Sequence, residues 1–340
     1  MKMKKLTALI TVAMLATTMF VGCGSKASTT STPAASSSSD APAPAAKKLV
    51  IGFSQIGQES GWRDAETNSV KDIPNQNKDI ELKFSDGQQK QENQIAAIRS
   101  FIAQKVDVIG LAPVVETGWD TVLKEAKDAK IPVVLLDRNV KVADRSLIAT
   151  FIGSDFIAEG KSVAKFVTDK YGADAKVNIA ELQGSVGASA ANDRQKGFMD
   201  GIKDFKGYKV IKSQTGDFTR AKGKEVMEAF LKSDGKNIQV VYAHNDDMAM
   251  GAIQAIEDYG KKPGVDITVV SIDGIKDAFT AMAAGKTNFI AECNPLLGPQ
   301  LVQAARDLKA GKTLDAWVKS DEKTFAGADA AKAALPDRKY

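Results

Sequence analysis

Histidine is nearly missing from this chain: His244 is the only one in 340 residues. Cysteine is almost as scarce, with Cys23 and Cys293 alone. Acyl-transfer triads and imidazole or thiolate zinc sites need several such residues to converge, so neither has material to draw on. The two cysteines sit in dissimilar settings, Cys23 behind an apolar N-terminal run and Cys293 after "NFIAE", and they make no disulfide framework. Cys293 reads as a small buried residue. A phosphate loop is lacking too. The turn "QGSVGASA" at Gln183–Ala190 has no lysine in the Gly-x-x-x-x-Gly-Lys-Ser/Thr register, and "GFSQIG" fits no dinucleotide fingerprint. Its glycines read as a tight turn with Ser185 or Ser189 capping the next helix, a phosphate cradle being the alternative. The expectation is no catalytic residue, no metal site and no cofactor.

Charge excludes a further class. The formal net charge is +4, but Lys2, Lys4 and Lys5 supply most of it. With those three set aside, 43 basic residues face 42 acidic ones, and a near-neutral body gives no reason to invoke nucleic acid. The hydrophobic fraction of 44% is ordinary for a globular protein, and 340 residues leave room for two domains at roughly 100 to 200 residues each.

The lysines precede an apolar run from Leu6 to Phe20, the pattern of a secretory signal over residues 1–22. Phe20-Val21-Gly22-Cys23 resembles the lipobox of bacterial lipoproteins, with Phe20 where leucine is usual. Lipidation of Cys23 is expected, ordinary cleavage nearby being the alternative, and two acyl chains would anchor the protein stably. Residues 23–47 are mostly Ser, Thr, Ala and Pro and read as a flexible tether.

From Lys48 onward, short apolar runs alternate with amphipathic segments. Strands are expected at Leu49–Ser54, Ile80–Ser85, Val106–Leu111, Val133–Leu136, Val177–Leu182, Tyr208–Gln214, Ile238–Tyr242 and Ile267–Ile272. Between them, Ile95, Ile98, Phe101 and Ile102 share one helical face, as do Val226, Met227, Phe230 and Leu231. Apolar strands separated by helices imply parallel sheets covered on both faces. About four strands on each side of residue 150 divide into two doubly wound α/β lobes.

Ligands in such lobes bind at the carboxyl ends of strands. Those ends carry Glu59–Arg63, Asp86-Gly87-Gln88, Asp137-Arg138, Gly184–Ser189, His244–Asp247 and Asp273-Gly274. Asp137 and Asp273 alone would read as turn or capping residues. Combined with Arg63, Arg138 and Arg194 they suit sugar hydroxyls, which accept from Arg and Asn and donate to Asp and Asn. Trp62 would supply an apolar wall for the C–H face of a ring, or else anchor the lobe. Asp246 and Asp247 read as caps of the helix "DMAMGAIQAIEDYG"; magnesium ligation would need a phosphate loop that is not there. Asn245 lies earliest and nearest the cleft.

These residues, in this order, resemble the periplasmic sugar-binding proteins of ABC transporters, of the ribose/galactose type. The carriers are "DR" at Asp137-Arg138, Arg194 in "NDRQKGF", Asn245 in "HNDDMAMGAIQA" and Asp273 in "SIDG". Longer runs, "GFSQIGQESGWR", "DGQQKQENQI", "LAPVVETGWD" and "GDFTRAKGKEVMEAF", are most similar to galactofuranose-binding proteins. The likeness covers the chain from about Lys48 to its end. It implies a periplasmic binding protein type I fold, two lobes joined by a three-strand hinge. Lobe one would comprise 48–152 with 293–322, and lobe two 153–292 with 323–340. The chain would cross near Phe151–Asp155, Glu292–Pro295 and Asp321–Thr324. Carried over by position, Glu59, Ser60, Gly61, Trp62, Arg63, Asp137 and Arg138 would face Arg194, Asn245 and Asp273, with Glu292 a further candidate where some relatives use glutamine. The implied partners are a monosaccharide and an ABC permease, with the membrane met only through the lipid, and the protein a monomer outside the cell. A binder of another pentose or hexose, or of a furanosyl signal serving a chemoreceptor, is the alternative. A repressor core would need a helix-turn-helix before residue 50, where the signal and spacer stand instead.

Overall fold

The computed structural model describes residues 47–340. The expected signal, Cys23 and almost all of the tether lie outside the described residues.

Twelve strands form among the described residues: β1 (Leu49–Gln55), β2 (Ile80–Asp86), β3 (Val108–Leu111), β4 (Val133–Leu136), β5 (Thr150–Gly153), β6 (Val177–Gln183), β7 (Tyr208–Thr215), β8 (Val240–Ala243), β9 (Thr268–Asp273), β10 (Phe289–Glu292), β11 (Trp317–Lys319) and β12 (Thr324–Ala326). They make two six-stranded sheets, ordered β11-β5-β4-β3-β1-β2 and β12-β10-β9-β8-β6-β7. All pairs are parallel except β10 with β12. β3, β4, β5, β8 and β9 are buried at every residue, as strands covered on both faces must be. Each lobe repeats the doubly wound order 2-1-3-4-5, which reverses beside its first strand and opens a crevice at the carboxyl ends.

The expected strands all form, with ends shifted by a residue or two. Val106 and Ile238 stay outside their strands, as buried residues of the approaching loops. β5, β10, β11 and β12 were not anticipated. β5 and β10 are four residues long, and β11 and β12 are three-residue edge strands with mostly exposed side chains, too short to show a period.

Sheet membership fixes where the chain changes lobes: after β5, after β10 and between β11 and β12. The three crossings meet. Ser154 Oγ lies 3.2 Å from Cys293 Sγ and donates to the Glu322 carboxylate, which also accepts from Asn294 N at 3.1 Å. Burial pushes the Glu322 carboxyl up to about 8, with the Glu159 charge adding to it.

Two apolar layers cover the faces of the first sheet, around Ile98, Phe101 and Trp119 on one side and Ile51, Phe53 and Leu301 on the other. The second lobe's core runs through Val226, Met227, Phe230 and Leu231, the helical face read from the sequence. Trp62 packs into that second-lobe core although its helix, Gly61–Lys71, follows β1.

Candidate ligand-binding site

Loops at the carboxyl ends of both sheets close around one cavity. Lobe one lines it with Glu59, Ser60, Trp62, Arg63, Asp137 and Arg138, and lobe two with Ala190, Arg194, Phe218, Asn245 and Asp273; Cys293 completes it from a crossing. The cavity they leave is small, about 20 Å³, with the charged side chains of each wall paired among themselves. A wider, open groove between helices Gly61–Lys71 and Gly298–Lys309 gathers none of these charges.

The lobe-one wall begins where β1 gives way to a helix. Ser60 is the N-cap, its Oγ accepting from Arg63 N at 3.1 Å, and this fixes Arg63 in the first turn. The Arg63 guanidinium is 2% exposed and pairs with Glu66, Asp137 and, at 3.2 Å, Glu59. Burial alone would weaken its charge, but the three carboxylates outweigh it and hold the group well above its ordinary pKa. Glu66 is buried and raised by that burial, and its Oε2 also accepts from Gln55 Nε2 at 2.9 Å. Arg138 reaches Glu59 Oε1 at 2.6 Å through Nη2, while burial lowers its pKa. Its Nε is buried without a hydrogen-bond partner among the described residues.

The lobe-two wall rests on a single cation. Arg194 donates through Nε to Glu159 Oε2 at 2.7 Å, through Nη1 to His244 O at 2.6 Å and through Nη2 to Asp273 Oδ1 at 3.4 Å. Its helix, Ser189–Ile202, lies unusually close to helix Phe156–Tyr171, which carries Glu159. A Cβ at Gly160 would meet Arg194 O at 2.2 Å and one at Gly197 would meet Ile157 O at 2.2 Å, so glycine is required at both. Burial raises Glu159 and drives Asp273 well above the usual carboxylate range, with Arg194 opposing in each case.

Backbone strain marks the same loops. Asp137 (φ 61°), Phe218 (φ 60°) and Asp273 (φ 128°) all have positive φ, a conformation non-glycine residues hold only where the surroundings enforce it. Each arginine also lies over an aromatic ring: Arg63 on Trp62 at 4.8 Å, Arg194 on Phe156 at 5.1 Å and Arg138 on Phe218 of the other lobe at 5.0 Å.

The cavity brings together Glu59, Ser60, Trp62, Arg63, Asp137, Arg138, Arg194, Asn245 and Asp273 of the sequence-derived set. Two members are placed elsewhere. Gly61 is exposed and its N–H donates to Asp247 Oδ2 at 2.8 Å, while Glu292 pairs with Arg338 at 2.6 Å near the C-terminus. Asn245 lines the cavity with both amide atoms engaged: Oδ1 accepts from Met248 N and Nδ2 donates to Phe218 O, each at 3.0 Å. It is therefore the cap of helix Asp246–Asp258, not Asp246 or Asp247. Asp246 instead accepts from Gly274 N at 2.6 Å and Ile275 N at 2.9 Å, bracing the loop after β9, and burial lifts its pKa to about 7.

The expected Ser185 or Ser189 cap is also corrected: Ala188 holds the N-cap position with no side-chain bond, and Ser189 Oγ accepts from Asn139 N of the other lobe at 2.9 Å. Trp62 lines the cavity, but its Nε1 donates to Cys293 O at 2.6 Å and ties lobe one to a crossing. His244 is buried; its Nε2 sits 3.1 Å from Glu181 Oε1 and its Nδ1 accepts from Gly184 N at 3.4 Å. Burial lowers its pKa.

Sequence reasoning missed Phe218, Glu159, Glu66 and the Cys293 backbone. "GDF" before a helix was a turn signal with an aromatic in it, which could have flagged Phe218. Glu159 and Glu66 sit on helices where a carboxylate reads as solvated surface.

Set beside known proteins, residues 51–313 match the periplasmic binding protein domain. The galactofuranose-binding protein YtfQ of Escherichia coli (strain K12) is 51% identical over 296 residues, 86% of this chain and 92% of its own. A solved structure from Mycobacterium smegmatis in complex with β-D-fucofuranose superposes with a TM-score of 0.82 at 51% identity, covering 86% of this chain and 95% of that one. The periplasmic binding component of the arabinose ABC transporter from Shewanella sp. ANA-3, bound to α- and β-L-arabinofuranose, gives a TM-score of 0.81 at 50% identity over 85% and 95% of the two chains. With two equivalent sheets closing strand-end loops on one charged cavity, and relatives that are solute-binding proteins and not enzymes, this chain belongs to the periplasmic binding protein family.

Proposed function

We propose that this protein is the extracytoplasmic receptor of an ABC sugar importer, capturing one neutral monosaccharide in its furanose form between the lobes and presenting it to the permease. The observation that carries this reading is the balance of the cavity. Arg63, Arg138 and Arg194 are already matched by Glu59, Asp137 and Asp273 in the lining and by Glu66 and Glu159 behind it, so a phosphate or uronate would upset a pairing that a polyol leaves intact. The Arg138 Nε donor has no hydrogen-bond partner among the described residues, Asp137 Oδ2 standing 3.8 Å away, and a sugar oxygen is the kind of group that satisfies it. Phe218 and Trp62 add aromatic surface to the lining, the kind of wall the C–H side of a sugar packs against.

The relatives support the furanose reading: galactofuranose, fucofuranose and arabinofuranose are named for three proteins at 50% or 51% identity. Galactofuranose is the first ligand to test. Upstream, Cys23 carries the lipid and residues 23–47 act as the tether of a monomer held at the cell membrane. Among the described residues no helix is long and apolar enough to cross a membrane.

A thermal-shift panel of galactofuranose, galactopyranose, ribose, arabinose and glucose tests the reading. A ligand at 100 times its Kd adds about 2.7 kcal/mol of stability. The expected result is a shift with furanoses and none with glucose; a shift with pyranoses alone would replace the ligand, and no shift from any sugar would remove the function.

A further inference from the structure

The lobes also touch outside the cavity. Gly61 opens helix Gly61–Lys71, and the Asp247 carboxylate that its N–H meets belongs to the other lobe. Asp247 is aimed from behind: its Oδ1 accepts from Arg220 Nε at 3.1 Å, and Arg220 continues to Asp277 Oδ2 at 2.9 Å. The first N–H groups of a helix have no partner within it and carry the positive end of its dipole. Ser60 already serves Arg63 N, so Asp247 supplies a second cap to the same helix end, delivered across the cleft. The opposite rim has its own links: Glu116 N to Gly187 O and Asn139 N to Ser189 Oγ, both at 2.9 Å. Neither Gly61, Asp247 nor Arg220 lines the cavity.

We propose that Asp247, oriented by Arg220, is a closure latch that caps the lobe-one helix from lobe two and so sets how long the lobes stay shut, without selecting which sugar is held. Its ligand-binding consequences rest on the function proposed above. A group that shifts only the open–closed equilibrium changes the apparent affinity for every ligand by one factor, and acts mainly on release.

Two variants remove the same bond from opposite sides. Asp247→Ala removes the acceptor. Gly61→Pro removes the donor at the first helical position, where proline is favoured and Ser60 already has the extended backbone (φ −156°, ψ 164°) required before it, and its Cδ takes the place of the N–H against Asp247, so release should speed up at least as much as in Asp247→Ala. Stopped-flow release of galactofuranose and of L-arabinofuranose should accelerate about tenfold in each variant, the scale of one charged hydrogen bond. The double variant should be no worse than either single, since both delete one contact. The ratio of the two sugars' Kd values should stay at the wild-type value. Release within twofold of wild type, full additivity, or a changed ratio would overturn the latch. Small-angle scattering of the sugar-free chain reads closure without any ligand: Asp247→Ala should enlarge the radius of gyration, and an unchanged radius would overturn the latch. If the wild type binds none of these sugars, the proposed function falls and scattering alone decides the latch.

Discussion

The two walls of the cavity solve one problem differently. Lobe one surrounds Arg63 with Glu59, Glu66 and Asp137 and gives Arg138 to Glu59, so each charge there has more than one counterpart or a shared one. Lobe two hangs Glu159, Asp273 and the His244 carbonyl on Arg194 alone. A redundant network tolerates the loss of a member, whereas a hub does not. The lobe-one wall is also nearly all made of residues that touch the cavity, while lobe two depends on Glu159 and on the Gly160–Gly197 approach behind it.

The sharpest way to break this contrast is Arg194→Ala. It strands two buried carboxylates, and removing one partner of a buried pair costs about 3–5 kcal/mol. Thermal unfolding should show that loss, together with abolished sugar binding. Unfolding like that of the wild type would show that lobe two has no hub. Asp137→Ala should instead spare most of the stability, because Arg63 keeps Glu59 and Glu66, and weaken binding by about 1.5–3 kcal/mol in calorimetry. Equal effects of the two substitutions on folding would erase the distinction. Smaller again is Trp62→Phe, which keeps an aromatic ring, deletes the 2.6 Å bond to Cys293 O, worth about 1 kcal/mol, and gives up part of the indole's packing; thermal unfolding reads the loss.

An effect of another kind, visible only as pH changes, is expected where the three crossings meet. Glu322 is raised from an ordinary 4.5 to about 8 in the folded chain, so the folded state holds its proton more tightly than the unfolded state does. Its contribution is then fully present below about pH 4.5 and is lost as pH rises through about 8. Glu322→Gln should flatten that part of a stability-against-pH curve, and an unchanged curve would contradict the assignment.

What the sequence disclosed follows the same division. The strands with buried apolar runs were legible, as were the polar residues directly after them, because both signals are local. "ESGWR" and "DR" put nearly the whole lobe-one wall into short motifs. The lobe-two wall was half hidden: Arg194 and Asp273 stood in motifs, but Glu159 lies 35 residues from Arg194 and meets it only through helix packing. Asn245 was found but its task was not, since capping and ligand contact call for the same side chain in the same place. The short strands beside the crossings gave no period to read, and Asp247 looked like an ordinary first-turn acid because its partner, Gly61, is 186 residues away.

The proposed function stands or falls on whether the cavity between Arg138 and Asp273 holds a neutral furanose. A crystal structure of the chain grown with galactofuranose tests it most directly. The sugar should lie inside that cavity, with Arg138 Nε donating to one of its oxygens and Asp273 and Asp137 accepting from its hydroxyls. A sugar seated elsewhere, or an anion in its place against the three arginines, would contradict it.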